Sequence, residues 1–125
     1  MKHDEFLKAV QERAGLASRE EAERATAAVL GTLGERLAGG EPHDLASQLP
    51  EELAGYVRYD GEAQSDPFLL EEFYRRVAAR EGVGQGEAES HARAVIGVLQ
   101  EAVTGGEIGD VRSQLPSEYA TLFEG

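Results

Sequence analysis

The sequence predicts an all-α protein in which two similar multi-helix units pack as one pseudo-twofold helical domain. Three observations support this fold: a long segment occurs twice, apolar residues recur at helical spacing in both copies, and no segment alternates with the period of two expected of a strand. A chain of 125 residues has the length of one domain, and neither unit alone is large enough for a stable core of its own. We therefore expect a single domain over residues 1–125.

The repeat is visible when the chain is shifted by 66 residues against itself. Two segments then align without a gap, and about half of their positions are identical: residues 21–54, "EAERATAAVLGTLGERLAGGEPHDLASQLPEELA", and residues 87–120, "EAESHARAVIGVLQEAVTGGEIGDVRSQLPSEYA". We interpret the chain as a tandem duplication. Repeat one covers about 3–57, a linker covers 58–66, and repeat two covers about 67–124.

The helices of repeat one have recognisable ends. Apolar residues at helical spacing predict a first helix over residues 3–14, and Gly15 is expected to end it in the left-handed conformation. Ser18 and Glu21 have the spacing of a capping box, which starts a second helix. That second helix is expected to run to about Ala38.

A doubled phrase follows each long helix. It reads "GGEPHDLASQLPEELA" from Gly39 and "GGEIGDVRSQLPSEYA" from Gly105. We expect the double glycine to end the long helix in both copies, and Pro42 suits the first turn of a short helix. Pro50 and Pro116 should end this short helix and start another, because a proline forces the preceding residue out of helical geometry.

Each doubled phrase also carries an aspartate, a serine and a glutamine. Short polar side chains at sharp helix junctions commonly bond exposed backbone groups, so we favour a structural role as caps. The alternative is a pair of pseudo-symmetric polar sites, one in each repeat. The matched pairs are Asp44 and Asp110, Ser47 and Ser113, and Gln48 and Gln114.

Two matched glycines, Gly31 and Gly97, fall in the middle of the long helices. Glycine in a helix interior costs about 1 kcal/mol relative to alanine. A cost present in both copies predicts a close approach of backbones, and we expect the two long helices to cross there. The alternative is an exposed glycine of no consequence.

These repeats resemble a known family. The segments "AAVLGTLGERLAGGEPHDLASQLPEEL", "EEFYRRVAAREGV" and "GGEIGDVRSQLPSEYATLF" are similar to the bacterial family called domain of unknown function 2267. The resemblance extends from about Phe6 to Phe123, and the doubled "GGE…D…QLP" is its most specific part. It implies a small, soluble, helical bacterial protein and supplies no catalytic or binding residue.

Composition disfavours several classes of function. The chain has 24 acidic and 12 basic residues, a net charge of −12, so it should repel nucleic acids and anionic membranes. It has no cysteine, which excludes disulfides and thiolate chemistry. The N-terminus "MKHDEFLKAV" lacks the apolar core of a secretory signal, and we therefore expect a cytoplasmic protein.

No constellation of catalytic residues is visible. None of His3, His43 and His91 has partners at the spacing of an HExxH motif, and the chain has neither a GxSxG nor a phosphate-loop motif. We therefore assign no catalytic, cofactor-binding or metal-binding residue and expect a protein that is not an enzyme and needs no cofactor.

The nearest approach to a metal site is the acidic segment "DGEAQSDPFLLE", residues 60–71. Its oxygen-bearing side chains fall at positions 1, 3, 5, 7 and 12 of a calcium loop, but Ser65 replaces the central glycine that the turn needs. The favoured interpretation is a linker in which Asp66 caps a helix that Pro67 opens. The alternative is a divalent-metal-binding or stress-related acidic protein that uses this loop.

An apolar run near the start of repeat two is wider than one helix face. Part of it should seal one repeat against the other, and any excess would form an interaction surface. We therefore expect a non-enzymatic protein–protein interaction module that binds a partner protein or a second copy of itself, with a homodimer as one possibility. The candidate surface residues are Phe68, Leu69, Leu70, Phe73 and Tyr74.

Overall fold

The computed structural model describes residues 1–37, 41–58 and 67–124. Within these ranges the chain forms seven α-helices and one 3₁₀ helix, and no strand, which confirms the all-α prediction. The elements are α1 (His3–Ala14), α2 (Arg19–Arg36), α3 (Glu41–Ala46), α4 (Glu51–Val57), α5 (Leu70–Glu81), α6 (Gln85–Ala102), α7 (Gly105–Ser113) and the 3₁₀ helix η1 (Ser117–Phe123).

Helix α1 begins and ends as the sequence predicts, and α2 begins as predicted but ends at Arg36, before the expected end at about Ala38. Gly15 ends α1 with a φ of 65°, and the backbone N–H of Leu16 folds back to donate to a carbonyl in the last turn at 3.0 Å. The Ser18 hydroxyl accepts from the backbone N–H of Glu21 at 3.2 Å. The Glu21 carboxylate accepts from the N–H of Ala17 at 3.2 Å, so the capping box reaches one residue further back than expected.

The prediction for the second double glycine is wrong. Gly105 and Gly106 begin α7 and do not end α6, which stops at Ala102. The physical reason is Thr104, whose hydroxyl accepts from the backbone N–H of Glu107 at 3.2 Å and thereby caps a helix that includes both glycines. The first double glycine, at residues 39–40, lies outside the described residues.

The start of α5 also differs from the prediction. The helix begins at Leu70, after an extended Leu69, and not at Pro67. The expected cap, Asp66, lies outside the described residues. The N–H of Leu70 is satisfied from elsewhere in the chain, because the Glu118 carboxylate in η1 accepts it at 2.6 Å.

The two long helices, α2 and α6, pack against each other at the centre of the molecule. Helix α1 contacts both of them, and so does α5, while α4 packs on α2, η1 packs on α6, and α3 contacts α7. One hydrophobic cluster includes residues from all eight described helices. The side chains on both sides of the 59–66 segment are therefore buried in one shared core.

The expected crossing of the long helices at Gly31 and Gly97 is wrong. A Cβ at Gly31 would lie 3.7 Å from a carbonyl oxygen in α4, and a Cβ at Gly97 would meet the guanidinium of Arg13. The close backbone approach is at Gly34, where a Cβ would overlap the carbonyl of Val57. Helix α4 lies directly on α2 because residue 34 has no side chain.

Candidate functional site

The serines of the doubled phrase make the same contact in both copies. The hydroxyl of Ser47 donates to the backbone carbonyl of Asp44 at 2.6 Å, and that of Ser113 donates to the carbonyl of Asp110 at 2.7 Å. The serines therefore have the structural role predicted for them. The two aspartates lie inside α3 and α7 with exposed side chains, so the prediction that their carboxylates cap helices is wrong.

Gln48 connects the two halves of the chain. Its side-chain oxygen accepts from the backbone N–H of Thr104, the residue that caps α7, at 2.8 Å. This bond spans 56 residues of sequence and holds the end of the α3 region beside the start of α7.

Three carboxylates meet where α3 contacts α7. Glu41 is the first residue of α3, and Glu107 and Asp110 face it from α7. One carboxylate oxygen from each residue lies within 4.8 Å of the other two. Glu41 and Glu107 occupy the same position in the two copies of the doubled phrase, so the contact of α3 with α7 brings matching acidic residues together. We call Glu41, Glu107 and Asp110 the carboxylate cluster.

The interior of the carboxylate cluster is buried and its edge is open. Glu107 is only 7% exposed, while Asp110 is exposed. The Oε1 atoms of Glu41 and Glu107 are both buried and have no hydrogen-bond donor among the described residues. Burial raises the pKa of Glu107 to about 7, and a hydrogen bond with the Glu41 carboxyl and the charges of Glu41, Asp110 and Asp44 add to this rise.

Sequence reasoning missed the glutamates of this cluster. It weighed the aspartate, serine and glutamine of each phrase as two separate polar sites, whereas the structure joins acidic residues of both phrases in one place. The signal was present in the alignment, because Glu41 and Glu107 match in the "GGE" of each copy. Only the contact between α3 and α7 turns this match into a site.

The predicted interaction surface is mostly interior. Phe73 is fully buried, and Phe68 and Tyr74 are each 6% exposed. The carbonyl of Phe68 accepts from the Arg36 Nε and from the Tyr119 hydroxyl, both at 2.7 Å. The aromatic part of the run therefore joins α5 to α2 and η1. What remains at the surface is Leu69, which is 53% exposed, and the half-buried Leu70.

A shallow groove of about 370 Å³ surrounds this remainder. Two leucines, a tyrosine, a glutamine and three carboxylates line it. The lining residues are Leu69, Leu70, Glu71, Tyr74, Gln85, Glu89 and Glu118. We call this feature the Leu69 groove.

The sequence of the chain, which includes both the carboxylate cluster and the Leu69 groove, matches a protein family. A family model described as "Uncharacterized conserved protein (DUF2267)" matches residues 3–122. The chain belongs to the DUF2267 family. This confirms the resemblance seen in the sequence, and the matched residues include the carboxylate cluster and the Leu69 groove. None of the curated proteins is significantly similar to the chain.

A second buried pair lies elsewhere in this DUF2267 protein. His91 Nδ1 and Glu81 Oε2 are 2.5 Å apart, and their side chains are 10% and 4% exposed. Burial raises the pKa of Glu81, and the hydrogen bond and charge of His91 oppose that rise. Sequence reasoning did not join these residues, because they are ten positions apart across the α5–α6 turn.

The Glu81–His91 pair borders a pocket of about 360 Å³ between the ends of four helices. None of the described residues that line it carries a hydroxyl or a thiol. The lining residues are Ala14, Gly15, Leu16, Ala17, Glu21, Arg24, Glu81, Val83, Glu87 and His91. The other histidines, His3 and His43, lie on α1 and α3.

The predicted calcium loop cannot be placed as a whole, because its residues 60–66 lie outside the described residues. Its final position, Glu71, lies in the first turn of α5 with an exposed side chain, 3.9 Å from Arg75. None of the helices in the described part of this DUF2267 chain combines the length and the hydropathy needed to cross a bilayer. The expected cytoplasmic location stays a prediction.

Proposed function

We propose that this DUF2267 protein is a non-enzymatic binding protein, formed by duplication of a multi-helix unit, that holds a segment of a partner protein in the Leu69 groove. The observation that carries the proposal is the 53% exposure of Leu69, an apolar side chain in a groove lined by carboxylates. An exposed leucine in a concave place can lose water to a partner's apolar side chain on binding.

Matching elements support the duplication. Helices α1 and α5 both have 12 residues, and α2 and α6 both have 18. Helix α1 contacts α6 while α5 contacts α2, as expected if a twofold axis passes between the two long helices. The equal contacts of Ser47 and Ser113 with carbonyls three residues earlier agree with the same origin.

The chemistry of the groove indicates what it would hold. Glu71, Glu89 and Glu118 line it, and the chain carries a net charge of −12. A segment with an apolar side chain flanked by arginine or lysine would match the leucines and place positive charge beside these carboxylates. Two of the carboxylates already have a partner within the chain, since Glu89 pairs with Arg93 and Glu118 accepts from the Leu70 N–H. A second copy of this chain fits less well, because each copy would bring its own acidic residues to the contact.

The described residues around the Glu81–His91 pair do not form a hydrolytic site of the serine or cysteine type. Such a site needs a hydroxyl or thiol within hydrogen-bond reach of the imidazole. The described residues of this pocket offer neither. The pair is sufficiently explained as a buried hydrogen bond between α5 and α6.

A displayed peptide library tests the binding proposal. We expect peptides selected by the wild-type protein to carry a leucine, isoleucine or phenylalanine beside basic residues, and to lose at least about tenfold in affinity for Leu69→Ser because the apolar contact is removed. Ala79→Ser is the matched control, since residue 79 is exposed on α5, the helix that follows Leu69, and lies outside the groove. Peptides that bind wild type and Leu69→Ser equally would contradict the proposal.

Sedimentation equilibrium distinguishes the two possible occupants of the Leu69 groove, a partner's segment and a second copy of the chain. A dimer of the wild-type chain that Leu69→Ser abolishes, together with no selected peptide, would assign the groove to a second copy. A monomer that selects basic–apolar peptides is the expected result.

A further inference from the structure

The carboxylate cluster lies on α3 and α7, and neither helix contributes to the lining of the Leu69 groove. It is a separate feature that the proposed binding function leaves unexplained. The helices that carry it come from the two copies of the doubled phrase, and the site exists only because those helices touch.

The charges in the cluster repel one another. Oxygens of Glu41, Glu107 and Asp110 lie within 4.8 Å, and Asp44 is close enough to act on Glu107 as well. The charged neighbours that act most on Glu107 are all carboxylates, and none of them is an arginine or a lysine. Ionised carboxylates at this separation repel one another, and a shared proton, a bound cation or solvent between them reduces that repulsion.

A second observation points to a ligand. Glu107 is more than nine-tenths buried, and one of its carboxylate oxygens lies in the cluster. Its Oε1 is buried and has no hydrogen-bond partner among the described residues. The Oε1 of Glu41 is buried in the same way. Leaving a buried carboxylate oxygen unsatisfied is costly, so both oxygens are better explained if something binds them.

The geometry fits a hard divalent cation of calcium's size. Calcium binds carboxylate oxygens at about 2.3–2.6 Å, so two oxygens on one ion lie no more than about 5 Å apart. The 4.8 Å limit in the cluster meets this condition for all three pairs. Because Asp110 and Asp44 are exposed, the ion has a path from solvent and room to keep part of its water shell.

We propose that Glu41, Glu107 and Asp110 bind a hard divalent cation such as Ca²⁺, which links α3 to α7 and thereby the two halves of the chain. This site differs from the predicted loop at residues 60–71. It is also independent of the Leu69 groove.

A thermal melt at about pH 8, where Glu107 is ionised, tests the site. A site of exposed and buried carboxylates is expected to have a dissociation constant of about 1 mM or below. About 10 mM CaCl₂ should then raise the melting temperature of the wild-type protein by about 5 °C over an NaCl–EDTA sample of equal ionic strength.

Two isosteric variants keep the test clear of misfolding. Glu107→Gln removes a repelling charge, so without calcium it should melt at the same temperature as wild type or higher, and its response to calcium should disappear. Asp110→Asn, at an exposed position, should weaken the response in the same way. Glu12→Gln is the control, because residue 12 is exposed on α1 and the net charge changes equally. It should respond to calcium as wild type does.

Two results would overturn the proposal. One is a melting temperature that responds to calcium no more than to NaCl at equal ionic strength, which is screening alone. The other is a calcium response that Glu107→Gln and Asp110→Asn retain in full.

Discussion

The environment of a single residue, Glu107, makes the stability of the protein depend on pH. Its pKa in the folded protein is about 7, against an ordinary value of 4.5. Between about pH 4.5 and pH 7, Glu107 therefore keeps a proton in the folded state that it has released in the unfolded state. The contribution of Glu107 to stability is therefore complete below about pH 4.5 and is lost as the pH rises to about 7 and above.

This dependence can be measured by chemical denaturation between about pH 4.5 and 8 in the presence of a chelator. Relative to Glu107→Gln, the wild-type protein should lose on the order of 2 kcal/mol of unfolding free energy over this range, because only the wild type must ionise a buried carboxyl. Parallel pH curves for the two proteins would show that residue 107 lies in a more polar environment than the structure indicates.

Single residues also explain why the apolar run before α5 misled the sequence interpretation. The pattern correctly indicated more apolar surface than one helix face can bury. It could not show that Arg36 and Tyr119 would both donate to the carbonyl of Phe68. Nor could it show that the guanidinium groups of Arg36 and Arg76 would lie over the Phe68 ring. Leu69, the next residue, was predicted in the same group and is the one that remains exposed.

At the scale of helices, the contact between α2 and α4 depends on Gly34. A Cβ at residue 34 would overlap the carbonyl of Val57, and a backbone atom cannot move aside as the end of a side chain can. Gly34→Ala should therefore destabilise the protein by about 1–3 kcal/mol, although alanine favours the helix itself.

Gly31→Ala is the matched control on the same helix. Its Cβ would have only an ordinary contact at 3.7 Å, so alanine should leave stability unchanged or raise it by up to about 1 kcal/mol. Urea denaturation of both variants decides between the two sites. Equal effects at residues 31 and 34 would mean that α4 does not rest on α2 at Gly34.

The helices themselves were largely predictable, because their signals are local. Helix α1 has the predicted range, Gly15 has the left-handed conformation, and Pro50 and Pro116 stand just before α4 and η1. The errors arose where a distant residue decides the outcome. Thr104 caps α7, so Gly105 and Gly106 lie inside α7 and do not end α6. Glu118 in η1 accepts from the first N–H of α5.

The candidate site depends on how the two halves of the chain are arranged. Taken alone, the glutamate and aspartate of either phrase indicate only a short helix with exposed acidic side chains. Glu41 and Glu107 are 66 residues apart in sequence, and only packing of α3 on α7 brings them together. Sequence reasoning found the repeated phrase but had no way to place its two copies in contact.

The halves are also joined away from the cluster. Glu35 on α2 pairs with Arg76 and with Arg80 on α5, and Arg80 also donates to the Thr32 hydroxyl at 2.8 Å. Together with the shared core, these contacts join the described residues of the two halves. A ligand at the α3–α7 contact would thus touch both halves.

The central claim is that matching acidic residues of the two doubled phrases form one binding site. A calcium titration followed by amide ¹H–¹⁵N correlation spectra tests it most directly. The account predicts shifts around Glu41 and around Glu107 that follow one saturation curve, because a single ion contacts both helices. Shifts confined to one of these regions, or to residues 60–66, would contradict it.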